Sequence, residues 1–186
     1  MLNFNTPIMD AKEYSEIKIW EVEPILKLNV RGKSRDFITK IGKELSIIPP
    51  ADPNTSSSNE KLNFLWLSPD EWLIYSNDKI HQKNINDLED RLYNSISKVK
   101  IGSVTNVTDH WIMINLKGKK VYELVSTSCP FDFKNFKQNK GSVVQTIFNH
   151  IDVIIHNKNS NDLNLFVRRS FSEHLLSWIR DAASRM

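Results

Sequence analysis

A single cysteine, Cys129, stands in 186 residues. No intrachain disulfide can form, and nothing argues for an oxidising compartment. Glycine is also scarce, at five residues. Two of the five open the runs Gly32-Lys33-Ser34 and Gly118-Lys119. A phosphate-wrapping loop needs another glycine five positions before its Gly-Lys pair. Lys27 and Met113 hold those positions, so both glycines read as permitting tight strand-to-helix turns. No HxH, HxxxH or CxxC spacing occurs. His150 and His156 would share a strand face ~20 Å apart, too far for one metal. No stretch approaches the ~20 apolar residues that cross a bilayer. Residues 1–16 carry Asp10, Glu13 and Glu16 and lack an apolar run, so neither a signal nor a transit peptide is expected there. They read as an N-terminal extension, and the cytosol is the expected location. Net charge is only +3, with a pI near 8.9. The clusters Lys117, Lys119, Lys120 and Lys134, Lys137, Lys140 read as solvated surface.

The remaining composition is that of a globular domain, with 40% hydrophobic and 25% charged residues. A chain of this length can bury roughly 70% of its unfolded surface without staples. Ile17–Val22 and Ile25–Val30 read as strands, the second with Leu26, Leu28 and Val30 alternating inward. Ser34 is placed to cap a helix carrying Phe37, Ile38, Ile41 and Leu45. Residues 49–60, almost without apolar content, are expected to form a mobile loop. Leu62–Leu67 and Trp72–Tyr75 read as hairpin arms around Ser68-Pro69-Asp70-Glu71, a polar turn. A helix with Ile85, Leu88, Leu92 and Ile96 follows.

The order then repeats. Strands at Ser103–Thr108 and Trp111–Leu116 precede a helix with Val121, Leu124 and Val125. At an offset of 86, Asn29-Val30-Arg31-Gly32-Lys33 falls on Asn115-Leu116-Lys117-Gly118-Lys119, and the inward trio falls on Ile112, Ile114 and Leu116. A duplicated unit is expected, giving one α+β domain (17–186) of two similar halves, about 17–99 and 101–186. Further strands follow at Val143–Phe148, Ile151–Ile155 and Leu163–Val167. Ser170-Phe171-Ser172-Glu173 has capping-box spacing and opens a last helix. Phe171, Leu175, Trp178, Ile179 and Ala182 are expected as its buried stripe.

Candidate chemistry is sparse. Cys129, after a helix, reads as packing. Asp109 either closes a turn or grips a pterin or amine. Arg168-Arg169 either contact a partner protein or bind an anion. The five tryptophans tilt that pair toward an interface. No catalytic, cofactor-binding or metal residues are assigned. Trp72, Trp111, Arg168 and Arg169 are the candidate partner contacts.

Three segments carry a resemblance. Leu67-Ser68-Pro69-Asp70-Glu71-Trp72-Leu73-Ile74 resembles the "LGPDEWLL" segment of the gamma subunits of heterotetrameric sarcosine oxidases. Val107-Thr108-Asp109-His110-Trp111, running through Gly118 to Cys129-Pro130-Phe131-Asp132, is similar to that family's second block. Val167-Arg168-Arg169-Ser170-Phe171 with Trp178-Ile179-Arg180-Asp181-Ala182-Ala183 resembles its closing "RSF…W…DAA" segment. Trp111 departs from the serine often found there. The resemblance implies a fold like the tetrahydrofolate-binding domain of aminomethyltransferases. It implies a complex oxidising sarcosine to glycine, with the one-carbon unit passed to tetrahydrofolate or released as formaldehyde, and hydrogen peroxide formed. FAD, FMN, NAD, tetrahydrofolate and zinc are then expected on the alpha, beta and delta subunits. This chain is expected to serve assembly, chiefly on alpha, with no nucleic acid or membrane partner. A stand-alone folate-binding or aminomethyltransferase-like protein using Asp109 is the alternative.

Overall fold

The computed structural model describes residues 6–7, 11–14, 16–79 and 82–186. Much of the expected N-terminal extension, and His81, lie outside these. The chain folds as two compact units. Pro24–Thr108 forms one; Met1–Glu23 with Asp109–Met186 forms the other, so the first is inserted into the second.

The inserted unit contains β3 (Ile25–Arg31), α1 (Arg35–Leu45), β4 (Ser56–Ser58), β5 (Leu62–Ser68), β6 (Glu71–Lys79), α2 (Gln82–Leu92) and β7 (Ser103–Asn106). Its sheet order is β4-β5-β6-β3-β7, antiparallel at every pairing. Leu26, Leu28 and Val30 meet Phe37, Ile41 and Leu45 of α1 in one buried cluster, as their alternation predicts. Ser34 caps α1, its hydroxyl accepting from Phe37 N at 3.1 Å. A π-helical turn at Tyr93–Ser97 continues α2 and carries buried Ile96. The expected mobile loop at 49–60 is instead tied down. Ser56–Ser58 pair with β5, Pro49 and Pro50 are buried, and the Ser57 hydroxyl donates to Ile48 O at 2.6 Å. Short polar side chains bonding to backbone hold this segment without apolar content.

The split unit contains β1 (Lys12–Tyr14), β2 (Ile17–Glu21), β8 (Trp111–Lys117), α3 (Val121–Ser126), α4 (Phe133–Phe136), β9 (Val143–Phe148), β10 (Ile151–Asn159), β11 (Asp162–Arg168) and α5 (Ser172–Ser184). Its sheet order is β1-β2-β8-β11-β10-β9. Ile19, Ile114, Ile155 and Leu165 pack with Leu124, Leu175 and Ile179 of α3 and α5. Met113, Ile154 and Phe166, on the alternate pleat, are buried as well.

With β1 set aside, the two orders coincide: β9-β10-β11-β8-β2 matches β4-β5-β6-β3-β7. The duplication is therefore present, but the halves 17–99 and 101–186 are not the folding units. β2, which precedes β3 in the chain, pairs with β8. β7, which precedes β8 in the chain, pairs with β3. Each strand leaves its sequence neighbour for the corresponding strand of the other repeat.

Candidate functional site

The Ser68–Glu71 turn is polar and self-contained. Asp70 accepts from the Ser68 hydroxyl at 2.9 Å, and Arg31 and Lys33 approach its carboxylate at 3.4 and 3.7 Å. The Ser68 bond is the largest cause holding the Asp70 carboxyl below its usual range. Asp70 O also accepts from Gly32 N at 3.0 Å. Asp70 is therefore a structural tie, which holds the β5–β6 turn on the end of β3.

Trp72, expected at a partner surface, is 4% exposed. Its ring stacks on Phe37 with centroids 5.8 Å apart and meets Phe64 edge-on at 6.2 Å. Its indole N–H donates to Pro50 O at 3.0 Å. A side chain held on every side belongs to the core of its unit and cannot reach a partner. The surface role fails for this residue because hairpin position alone does not reveal which pleat faces α1.

Trp111, Arg168 and Arg169 do come together. Trp111 begins β8 and lies in register with Arg168 at the end of β11. Arg169 N donates to His110 O at 2.9 Å, and the His110 ring stands edge-on to Trp111 at 5.0 Å. Trp111 is half-buried, and both arginines are exposed. Arg168 pairs loosely with Asp152 at 3.8 Å, a surface ion pair of little energetic consequence. Asp109 is exposed in the Thr108–His110 turn, consistent with the turn reading.

The last helix departs from expectation in two respects. It starts at Ser172, after a 3₁₀ turn at Arg169–Phe171, and no side chain caps it. Ser170 lies in that turn, and the Ser172 hydroxyl donates to Arg169 O at 2.8 Å, so the capping box does not form. Its buried stripe is Leu175, Leu176, Ile179 and Ala183. Phe171 and Trp178 are 45% and 43% exposed. The signal was present in the sequence. Leu175, Leu176, Ile179 and Ala183 already complete one face at 3.6 residues per turn, and Trp178 falls about 100° away from Ile179. Phe171 stands in the 3₁₀ turn before α5, and Trp178 half-way along the helix. With Arg168 and Arg169 just before them, they extend the candidate contact surface that began at Trp111.

Two other groups are shielded. Burial pushes the Cys129 thiol up to about 12. Cys129 should therefore stay unlabelled by a disulfide reagent at neutral pH and react fully once denatured; rapid labelling of the native chain would contradict its burial. His156 is 3% exposed on β10, and burial, aided by Lys158, lowers its pKa from 6.5 to about 3. The neutral ring is the folded form. Below pH 6.5 the unfolded chain takes up a proton that the folded chain refuses. This contribution is whole above that pH and shrinks as pH falls toward 3, costing about 2 kcal/mol between about pH 7 and pH 5. Urea unfolding should show that slope, and His156→Gln should flatten it; an unchanged slope in the variant would place the titration elsewhere. Among the described residues, no three of His, Cys, Asp and Glu gather as a metal site.

The duplicated pair of α+β sheets defines a fold class shared with aminomethyltransferases. The solved aminomethyltransferase T of the glycine cleavage system from Bartonella henselae aligns with a TM-score of 0.59 at 10% identity, covering 88% of this chain and 45% of that one. The heterotetrameric sarcosine oxidase from Corynebacterium sp. U-96, solved with pyrrole 2-carboxylate, aligns with a TM-score of 0.81 at 21% identity, covering 91% of this chain and 84% of that one. In sequence, the sarcosine oxidase subunit gamma of Corynebacterium sp. (strain U-96) is 25% identical over 120 residues, which cover 64% of this chain and 55% of that protein. The chain thus spans about half the length of that relative. Residues 35–185 match the sarcosine oxidase, gamma subunit family, and the chain belongs to that family.

Proposed function

We propose that this chain is the gamma subunit of a heterotetrameric sarcosine oxidase, and that it stabilises the assembly without supplying catalytic groups. The carrying observation is the family match across residues 35–185. In this reading the complex demethylates sarcosine oxidatively to glycine, yielding hydrogen peroxide and a one-carbon unit for tetrahydrofolate or formaldehyde. FAD, FMN, NAD, tetrahydrofolate and zinc are held by the alpha, beta and delta subunits. The complex works in the cytosol. Phe171, Trp178, Arg168, Arg169 and Trp111 supply the surface that docks on alpha. Exposed aromatics beside arginine are the side chains that most often carry binding energy.

The test is co-purification of the tagged chain from its native extract, with an absorption spectrum and subunit masses. Larger flavin-bearing partners are expected. A colourless lone 21.6 kDa protein would sink the proposal and turn attention to tetrahydrofolate calorimetry on the isolated chain. Trp178→Ala refines it. Half exposed, Trp178 should cost under ~2 kcal/mol of folding stability, below the 3–5 of a buried tryptophan. Capture of partners should fall at least ~10-fold, as for an interface anchor. Normal capture by the folded variant would remove this flank of α5 from the surface.

A further inference from the structure

Asn115 on β8 is 5% exposed and sits within a row of polar side chains that crosses the split unit's sheet. Trp20 on β2 faces it in register on one side, and Asn164 on β11 on the other. His156 on β10 follows beyond Asn164. The Asn115 amide nitrogen donates to Asp162 Oδ1 at 2.8 Å and to Asn164 Oδ1 at 2.7 Å. Both of its protons are thereby used. A carboxylate only accepts, so Asp162 fixes which way the amide points. A half-turn of the amide would set its oxygen against the Asp162 carboxylate.

Oδ1 is left buried, with no hydrogen-bond partner among the described residues. Buried amide oxygens are nearly always satisfied, by protein or by ordered water. What binds here must donate. The cation on the same strand, Lys117, is directed to Asp162 Oδ2 at 3.8 Å and is 61% exposed. A charged donor moved into this position would lose its hydration. We infer that a buried water molecule is bound at Asn115, donating to Oδ1 as part of the folded unit. Water is the smallest neutral donor, and its immobilisation costs little. This site is independent of the assembly proposed above.

The experiment uses the full-length chain, labelled with ¹³C and ¹⁵N so that the Asn115 side-chain amide is assigned directly. Cross-peaks from a long-lived water to the two Asn115 amide protons are expected in paired NOE and ROE spectra. A crystal structure near 1.5 Å should show a water within about 2.7–3.2 Å of Oδ1. Two outcomes overturn the inference. One is the absence of water cross-peaks at an assigned, slowly exchanging Asn115 amide. The other is a protein donor at Oδ1 in the crystal, the Trp20 indole N–H being the nearest in register. Both measurements are made on the unmodified chain, so no variant's failure to fold can obscure them.

Discussion

Gly118→Ala should destabilise this protein by about 3–4 kcal/mol, the sum of left-handed backbone strain and forced overpacking. Gly118 has φ +141°, a region that side chains rarely enter. A Cβ there would also collide with the carbonyl of Glu16 and stand 2.9 Å from the Ile17 Cα. Both obstacles are backbone, so rotating a side chain cannot relieve them. Relief means moving the start of β2 away from β8, where Lys18 opposes Lys117 and Ile17 and Ile19 are buried. Urea unfolding of the variant is the measurement, and a loss below ~1 kcal/mol would show that β2 gives way without cost. Gly32, its counterpart in the repeat, is constrained differently. A Cβ at Gly32 would meet the Phe37 ring at 2.5 Å, and one at Gly102 would meet the same ring at 2.5 Å. The two glycines flank one aromatic.

Trp72→Ala is expected to cost about 3–5 kcal/mol, the range for truncating a large buried aromatic. The variant loses the stack on Phe37 and the edge contact with Phe64 together. It also frees Pro50 O from the indole N–H, so the segment after α1 should lose hydrogen-exchange protection. Trp72→Phe separates the two effects. Most of the ring contact is kept, and a loss nearer ~1 kcal/mol should reflect the missing hydrogen bond. Thermal unfolding with exchange mass spectrometry checks both. An alanine variant of normal stability that has lost only its partners would return Trp72 to the contact surface.

Periodicity carried much of the architecture. Leu26, Leu28 and Val30, and at an offset of 86 Ile112, Ile114 and Leu116, do line the helix-facing pleats of their sheets. Ser34 does cap α1. Alternation reveals which side of a strand is buried, but it carries no information on which strand lies alongside. The exchange of β2 and β7 was therefore invisible, although both strands were legible as strands. The order of the segment at 49–60 is hidden from composition for a related reason. Its anchors are backbone carbonyls, at Pro50 and Ile48, and composition does not register them. Trp111 and Arg168 stand opposite each other because they sit at adjoining strand ends, a juxtaposition that pairing and not sequence spacing sets. Trp178 stands off the buried stripe because Leu175, Leu176, Ile179 and Ala183 already fill that face, and its angle carries it to the flank.

The insertion of one unit into the other has a consequence for synthesis. During translation β2 leaves the ribosome before β8, and 89 residues (22–110) separate the two strands. At about 5–20 residues per second, Ile17 and Ile19 then wait roughly 4–18 s for the strand that covers them. The inserted unit waits less, since β3 ends at Arg31 and its partner β6 begins at Glu71, 39 residues (32–70) later, about 2–8 s at the same rate. Only at the end of that interval, when β7 (Ser103–Asn106) has been made, can the inserted sheet be complete, and until β8 follows β2 stays open to chaperones or to a neighbouring chain.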